Sequence, residues 1–209
     1  MNSMEKSSEI LIRSTLHDLA NVLAGIRGIL DLTPPGQPLA PRDRDRMGAV
    51  IDEGVATLDR SRHLALDTQF PAAPETWEAW RNALLEDLEP LAILFRCRFQ
   101  LELEGPGAED AWPGKLLRSY ARAVTRQVVP YAKAGVLTIA CAAVPEGWRL
   151  RWAPVPALPE NLAAGDQERP MDIAAHWAVR TGVKLGVRLS WAEGALQARI
   201  PRGPLEQIP

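Results

Sequence analysis

The chain has 209 residues, 46% of them hydrophobic, with a formal net charge of -2 and a pI near 6.0. That length holds one large domain or two small ones around a real core. The charge offers no basic field to gather phosphates along DNA or RNA, and no stretch approaches the ~18 apolar residues of a bilayer span, so neither nucleic acid nor membrane is expected as a partner.

The N-terminus, Met1-Asn2-Ser3-Met4-Glu5-Lys6, has no basic segment leading into an apolar run, which argues against secretion. Cys97 and Cys141 each lie in a strand-like run without CxxC spacing. They fit reduced core thiols in a cytoplasm, with a disulfide as the weaker alternative.

From Ser7 to about Leu32 the residues Ile12, Leu16, Leu19, Leu23, Ile26 and Leu30 alternate spacings of four and three, the repeat of a helix packed along a bundle seam. Thr33-Pro34-Pro35-Gly36-Gln37-Pro38-Leu39-Ala40-Pro41 stops that helix, because each proline lacks an amide donor and restricts its predecessor. A second helix is predicted from about Arg42 to Thr68, opening on the charged run Arg42 to Arg46 and turning Met47, Val50, Ile51, Val55, Leu58 and Leu64 inward. Two long helices and a short loop make an antiparallel hairpin, which has only half a bundle. A second copy is expected to supply the other half.

Phe70-Pro71-Ala72-Ala73-Pro74-Glu75 reads as a linker. After it come a helix with Trp77, Trp80, Leu84, Leu85 and Leu88, an alternating strand from Cys97 to Glu104, and a helix from about Gly114 to Ala134. Strands near Val136 to Ala143 and Trp148 to Ala153 flank a turn at Pro145-Glu146-Gly147. A Pro-rich loop leads to a helix from Met171 to Thr181, and a last hairpin, Leu185 to Trp191 and Ala195 to Ile200, turns at Glu193-Gly194. This order predicts helices on one face of a mixed sheet. Two domains are expected: residues 1–69, a helical hairpin, and residues 70–209, an α/β unit.

On the first helix His17 and Asn21, four apart, share a face, while Asp18 points about 100° away from His17 and flanks the pair. The surrounding apolar residues leave that face outside the core. His17-Asp18-Leu19-Ala20-Asn21, at the start of a long helical hairpin, resembles the H-box of sensor histidine kinases, whose phosphotransfer domain is followed by an ATP-binding domain of the order just read. The ATP-binding motifs of that family are missing. Where an asparagine should hold Mg²⁺ the helix reads Arg126-Gln127-Val128-Val129-Pro130-Tyr131-Ala132-Lys133, with Tyr131 near the metal position. Where adenine should be held stands Ala153-Pro154-Val155-Pro156-Ala157. The phosphate loop, Asn161 to Pro170, has one glycine, and its Asp166 and Glu168 would repel a triphosphate. The usual proline five residues after the histidine is Val22.

A phosphoacceptor hairpin joined to a degenerate ATP-domain fold resembles the ChpT-type histidine phosphotransferases. The resemblance implies an α+β chain, a dimeric four-helix bundle followed by a degenerate ATPase-like α/β sandwich. It also implies a cytoplasmic homodimer that relays a phosphoryl group between response-regulator receivers through Nε2 of His17. No cofactor is expected on the chain itself; Mg²⁺ would come with the receiver. Asp18 would orient the ring, and Asn21 could position a water for phosphatase chemistry. Ala20, Ala24, Gly25 and Gly28 leave the helix low around His17, with Arg13, Ala20, Ala24 and Gly28 as the expected receiver-docking residues. Glycines 25 and 28 cost roughly 1 kcal/mol each against alanine in a helix, so close packing is expected to offset them.

Plainer readings stand beside these. His17 and Asp18 could be an ordinary exposed pair; His63 reads as a surface residue and His176 as a core or interface histidine, with no second ligand at metal spacing. Seven tryptophans are expected mainly in the α/β core. An active autokinase, a receiver phosphatase and a non-catalytic interaction module are the alternative functions.

Overall fold

The computed structural model describes residues 3–66, 73–105, 111–132, 135–157, 162 and 172–202, with the side chains of residues 3–8 excepted. Helix α1 spans Ser3–Asp31 and α2 spans Pro41–Ala65. Proline at the first position of α2 fits a site whose amide has no helical partner. Thr15 meets Ser61 at 3.0 Å, Val22 lies under Gly54, and Gly25 lies under Val50. The paired numbers run in opposite directions, so the helices are antiparallel. Both glycines sit where a Cβ would crowd a valine, at 3.2 Å for Gly54 and 3.4 Å for Gly25.

The face of α1 that packs on α2 is not the heptad stripe. Ser14, Asp18 and Ile29 are buried along it, with Val22 and Gly25 between them. Ile12, Leu16, Leu23 and Leu30 of α1, and Ile51, Val55 and Leu58 of α2, remain 46% to 66% exposed. The inward positions of α2 are instead Ala49, Glu53, Gly54, Thr57, Arg60 and Leu64. Of the six α2 residues expected inside, only Leu64 is fully buried, while Met47 and Val50 are half-buried. A charged pair, Glu53 and Arg60, takes the inner face, because its counter-charges come from another part of the chain.

The remaining elements are β1 (Pro74–Glu75), α3 (Trp77–Phe95), β2 (Arg98–Leu103), β3 (Trp112–Pro113), α4 (Gly114–Val128), β4 (Val136–Val144), β5 (Gly147–Ala153), α5 (Ile173–Lys184), β6 (Arg188–Ala192) and β7 (Ala195–Pro201). Thr76 caps α3 by accepting the Ala79 N–H. The helix starting at Gly114 is shorter than expected. It ends at Val128 and passes into a 3-10 turn, Val129–Tyr131, where Pro130 cannot continue an α-helix.

The five-stranded sheet has the order β2-β4-β5-β7-β6, with β2 parallel to β4 and the other pairs antiparallel. The tight turn between β6 and β7 uses left-handed backbone at both Glu193 and Gly194, matching a two-residue hairpin loop. Alternation places Leu137, Ile139 and Cys141 of β4 and Trp148, Leu150 and Trp152 of β5 on one buried face. Helices α3, α4 and α5 cover that face through Leu84, Leu88, Leu117, Val124 and Trp177. Trp77, Trp80 and Trp112 cluster with ring centroids 4.8 to 5.7 Å apart and tie α3 to the small β1-β3 ladder. Six tryptophans are buried, and Trp191 is the more exposed one, its Nε1 donating to the Val155 carbonyl at 2.7 Å. Both thiols are free and buried. Among the described residues no helix is long and apolar enough to cross a membrane.

Candidate functional site

Two neighbours on α1 differ sharply in exposure. The side chain of His17 is 70% exposed and that of Asp18 is 5% exposed, the outcome of the ~100° step between consecutive helical residues. Nδ1 of His17 lies 3.2 Å from Oδ1 of Asp18 and 3.3 Å from Nδ2 of Asn21. Nδ1 is thus occupied from two sides, and the exposed ring carries Nε2 at its other edge. Arg13, Ala20, Asn21, Ala24 and Gly28 are all exposed and fall at helical spacing along the face of His17. Arg13 is turned toward Glu9, 2.6 Å away. Gly28 has nothing within 4 Å of an added Cβ. Close packing offsets Gly25, therefore, and not Gly28.

Asp18 does more than flank the imidazole. Its Oδ2 accepts the backbone N–H of Ile173 at 2.8 Å, 155 residues away, at the first turn of α5. Asp172 caps the same helix, accepting from the Ala175 N–H at 2.7 Å. Nε2 of Gln127 donates to both Asp172 oxygens at 3.0 Å, and the Arg126 guanidinium lies 3.7 Å from that carboxylate. From there the charges continue into the hairpin. Glu53 of α2 receives Arg60 at 3.0 Å, Arg122 at 2.8 Å and Arg126 at 3.0 Å. Burial alone would push the Glu53 carboxyl up, but the combined fields of Arg60, Arg122 and Arg126 outweigh it and hold it below the ordinary carboxylate range.

The α4 face that meets the hairpin is built from Arg118, Arg122 and Arg126, four residues apart. Arg118 pairs with Glu75 and, at 3.4 Å, with Asp87. This corrects the expected place of Tyr131. It stands past the end of α4, in the 3-10 turn, 41% exposed, because the helix terminates before Pro130. Glu53, Arg60, Gln127 and Asp172 were not legible as site residues. The i, i+4 arginines of α4 and the Asp before α5 carried a local signal, but their partners are remote in sequence. His63 is half-buried, and burial, with Lys115 and Arg62 adding to it, lowers its pKa against the opposing field of Asp59. His176 is half-buried too, held low by burial and then by Arg180.

The stretch after β5 is anchored in the core through Val155, with Pro154, Pro156 and Ala157 exposed around it. Val155 is fully buried, and its N–H donates to the Gly194 carbonyl at 2.6 Å. Asp166 and Glu168 lie outside the described residues, as does nearly all of the loop that carries them.

No family model matches the sequence, and no curated protein matches it. Among solved structures the chain is similar to the Acinetobacter baumannii histidine kinase AdeS, at 13% identity and a TM-score of 0.55, over 88% of this chain and 94% of that one. It is similar to a bacterial phosphotransferase, at 13% identity and a TM-score of 0.51, over 95% of this chain and 98% of that one. The fold is histidine-kinase-like. A third similar structure is full-length ShkA in complex with AMPPNP, at 13% identity and a TM-score of 0.51, of which this chain covers 46%. At this identity the likeness is one of fold. The chemistry of a histidine-kinase-like chain with these residues rests on the residues themselves.

Proposed function

We propose that the chain is a homodimeric histidine phosphotransferase that relays a phosphoryl group between response-regulator receivers through His17. The observation that carries this reading is the exposed imidazole whose Nδ1 is engaged by Asp18 while the opposite ring edge is open. With the proton on Nδ1, the Nε2 lone pair attacks the phosphorus of a receiver acyl phosphate in line. The N–P bond forms as the P–O bond to the receiver aspartate breaks, and that aspartate leaves as a carboxylate. The ring becomes cationic, and Asp18 faces its Nδ1–H. A second receiver's carboxylate reverses the step. Receiver docking is assigned to Arg13, Ala20, Ala24 and Gly28, with Mg²⁺ arriving on the receiver.

Among the described residues, those at the expected metal and adenine positions do not fit a nucleotide with its metal. Near the expected metal position stands Tyr131, a phenol in the 3-10 turn past α4, and the arginines of α4 before it are already committed to carboxylates. The stretch after β5 offers the buried Val155 and its prolines in place of an adenine acceptor. This supports a degenerate ATP-domain fold and a phosphate source outside the chain.

Dimerisation is supported by the stripe of exposed apolar residues on both helices, Ile12, Leu16, Leu23, Ile51, Val55 and Leu58, too continuous to leave in water. A second copy laid along it completes a four-helix bundle. A receiver phosphatase is the second reading, favoured by Asn21, whose exposed amide sits on the same ring.

Transfer from a phosphorylated receiver tests the proposal. Label should pass to the wild type and not to His17→Ala, and ATP alone should leave the protein unlabelled. Labelling by ATP would favour an autokinase. Loss of label from the receiver without its appearance on the protein, dependent on Asn21, would favour the phosphatase.

A further inference from the structure

His17 Nδ1 has two neighbours that ask opposite things of it. Asp18 only accepts, so it requires a proton on Nδ1; the Asn21 amino group only donates, so it requires a lone pair there. One nitrogen cannot satisfy both at once. The choice decides the chemistry, because a neutral imidazole carries one proton. With Nδ1 protonated, Nε2 has the free lone pair; with Nδ1 accepting from Asn21, Nε2 holds the proton and is no nucleophile.

What weights the choice toward Asp18 comes from the other end of the chain. The Asp18 carboxylate is anchored by the Ile173 N–H, in a buried hydrogen bond at the positive end of α5. That end is fixed by Asp172 through Ala175, Gln127 and Arg126. Arg126 is tied in turn to Glu53 of the hairpin. The α5 terminus is therefore clamped against α1 from two directions, directly through Asp18 and through α4 and α2.

We propose that the α/β unit, rather than being a vestige, positions the nucleophile. The N-terminus of α5, held by Asp172 and Arg126, keeps the Asp18 carboxylate on Nδ1 of His17 and so selects the tautomer with a free Nε2. Asp172 and Arg126 are positioning residues acting through Asp18. The inference rests on His17 being the phosphoacceptor, but the tautomer it assigns is measurable without any phosphoryl transfer.

Long-range ¹H–¹⁵N correlation spectra of the full-length protein with ¹⁵N-labelled histidine, at pH 8, report which ring nitrogen carries the proton. The wild type should show Nδ1–H as the major form. Ile173→Pro removes the anchoring donor while suiting the first position of a helix, and Asp172 already has the extended backbone that precedes a proline. Asp172→Ala removes the cap from a partly exposed site and spares the core. Both should move the population toward Nε2–H and slow phosphoryl transfer about tenfold at saturating receiver, while Asn21→Ala should leave Nδ1–H dominant. A wild type already dominated by Nε2–H would overturn the proposal. So would an unchanged tautomer in Asp172→Ala with native circular dichroism. If the Nδ1–H form responds as stated and no receiver delivers label, the phosphotransferase reading fails and the positioning result stands.

Discussion

At the residue scale, the motif His17-Asp18-Asn21 was legible because helical geometry alone places the amide with the imidazole and turns the carboxylate aside. The second use of Asp18 was not legible. Nothing local marks a carboxylate whose other oxygen is taken by an amide 155 residues on. The two glycines beside the motif also divide on structure rather than sequence. Gly25 lies against Val50, whereas Gly28 faces open space. Gly28→Ala should therefore stabilise the chain by about 1 kcal/mol, the helix-propensity difference. Gly25→Ala, which must press on Val50, should gain less. Urea unfolding of the two variants checks the order; equal gains would mean that Val50 yields freely.

At the element scale, periodicity identifies the helices but not the face of α2 that a single chain buries. An apolar stripe is normally the buried one, so the pattern predicts Ile51, Val55 and Leu58 inside and gives no sign that Glu53 is buried. The structure inverts this, since the arginines that neutralise Glu53 lie on α4, 69 and 73 residues away, and on α2 itself. The cluster joins the hairpin to the α/β unit. Glu53→Gln leaves the buried Arg60 and the half-buried Arg122 and Arg126 without this carboxylate and should cost about 3 kcal/mol. The pH dependence has a definite sign. The folded Glu53 pKa is depressed below its ordinary value of 4.5. Its contribution is present above pH 4.5 and is lost as pH falls through the lower folded value. His176, also depressed from 6.5, adds stability above pH 6.5 that is lost as pH falls through its own folded value. Thermal melts between pH 3 and 8 should show the wild type losing stability toward acid, with a shallower slope below pH 4.5 in Glu53→Gln. Parallel slopes there would contradict the assigned role of the cluster.

At the scale of the whole molecule, the order of elements after the linker was read nearly as observed, because alternating strands and their turn residues carry strong local signals. The short β1-β3 ladder escaped notice, each strand being two residues long and held by tryptophan packing rather than by pattern. The heptad stripe reads as a seam for a second copy, and the single chain leaves its Ile12, Leu16, Leu23 and Leu30 exposed. If a second copy fills it, Leu23→Glu combined with Val55→Glu should turn a sedimenting dimer into a monomer of unchanged helical content. A wild-type monomer at tens of micromolar would remove the bundle from the account.

The central claim, that His17 offers an open Nε2, is tested most directly with a small phosphoryl donor and no partner protein. Phosphoramidate, which phosphorylates imidazoles, should place an acid-labile, alkali-stable phosphoryl group on His17 well ahead of the half-buried His63 and His176, with the ³¹P signal absent in His17→Ala. Equal labelling of the three histidines, or a wild type in which His17 stays unmodified, would contradict it.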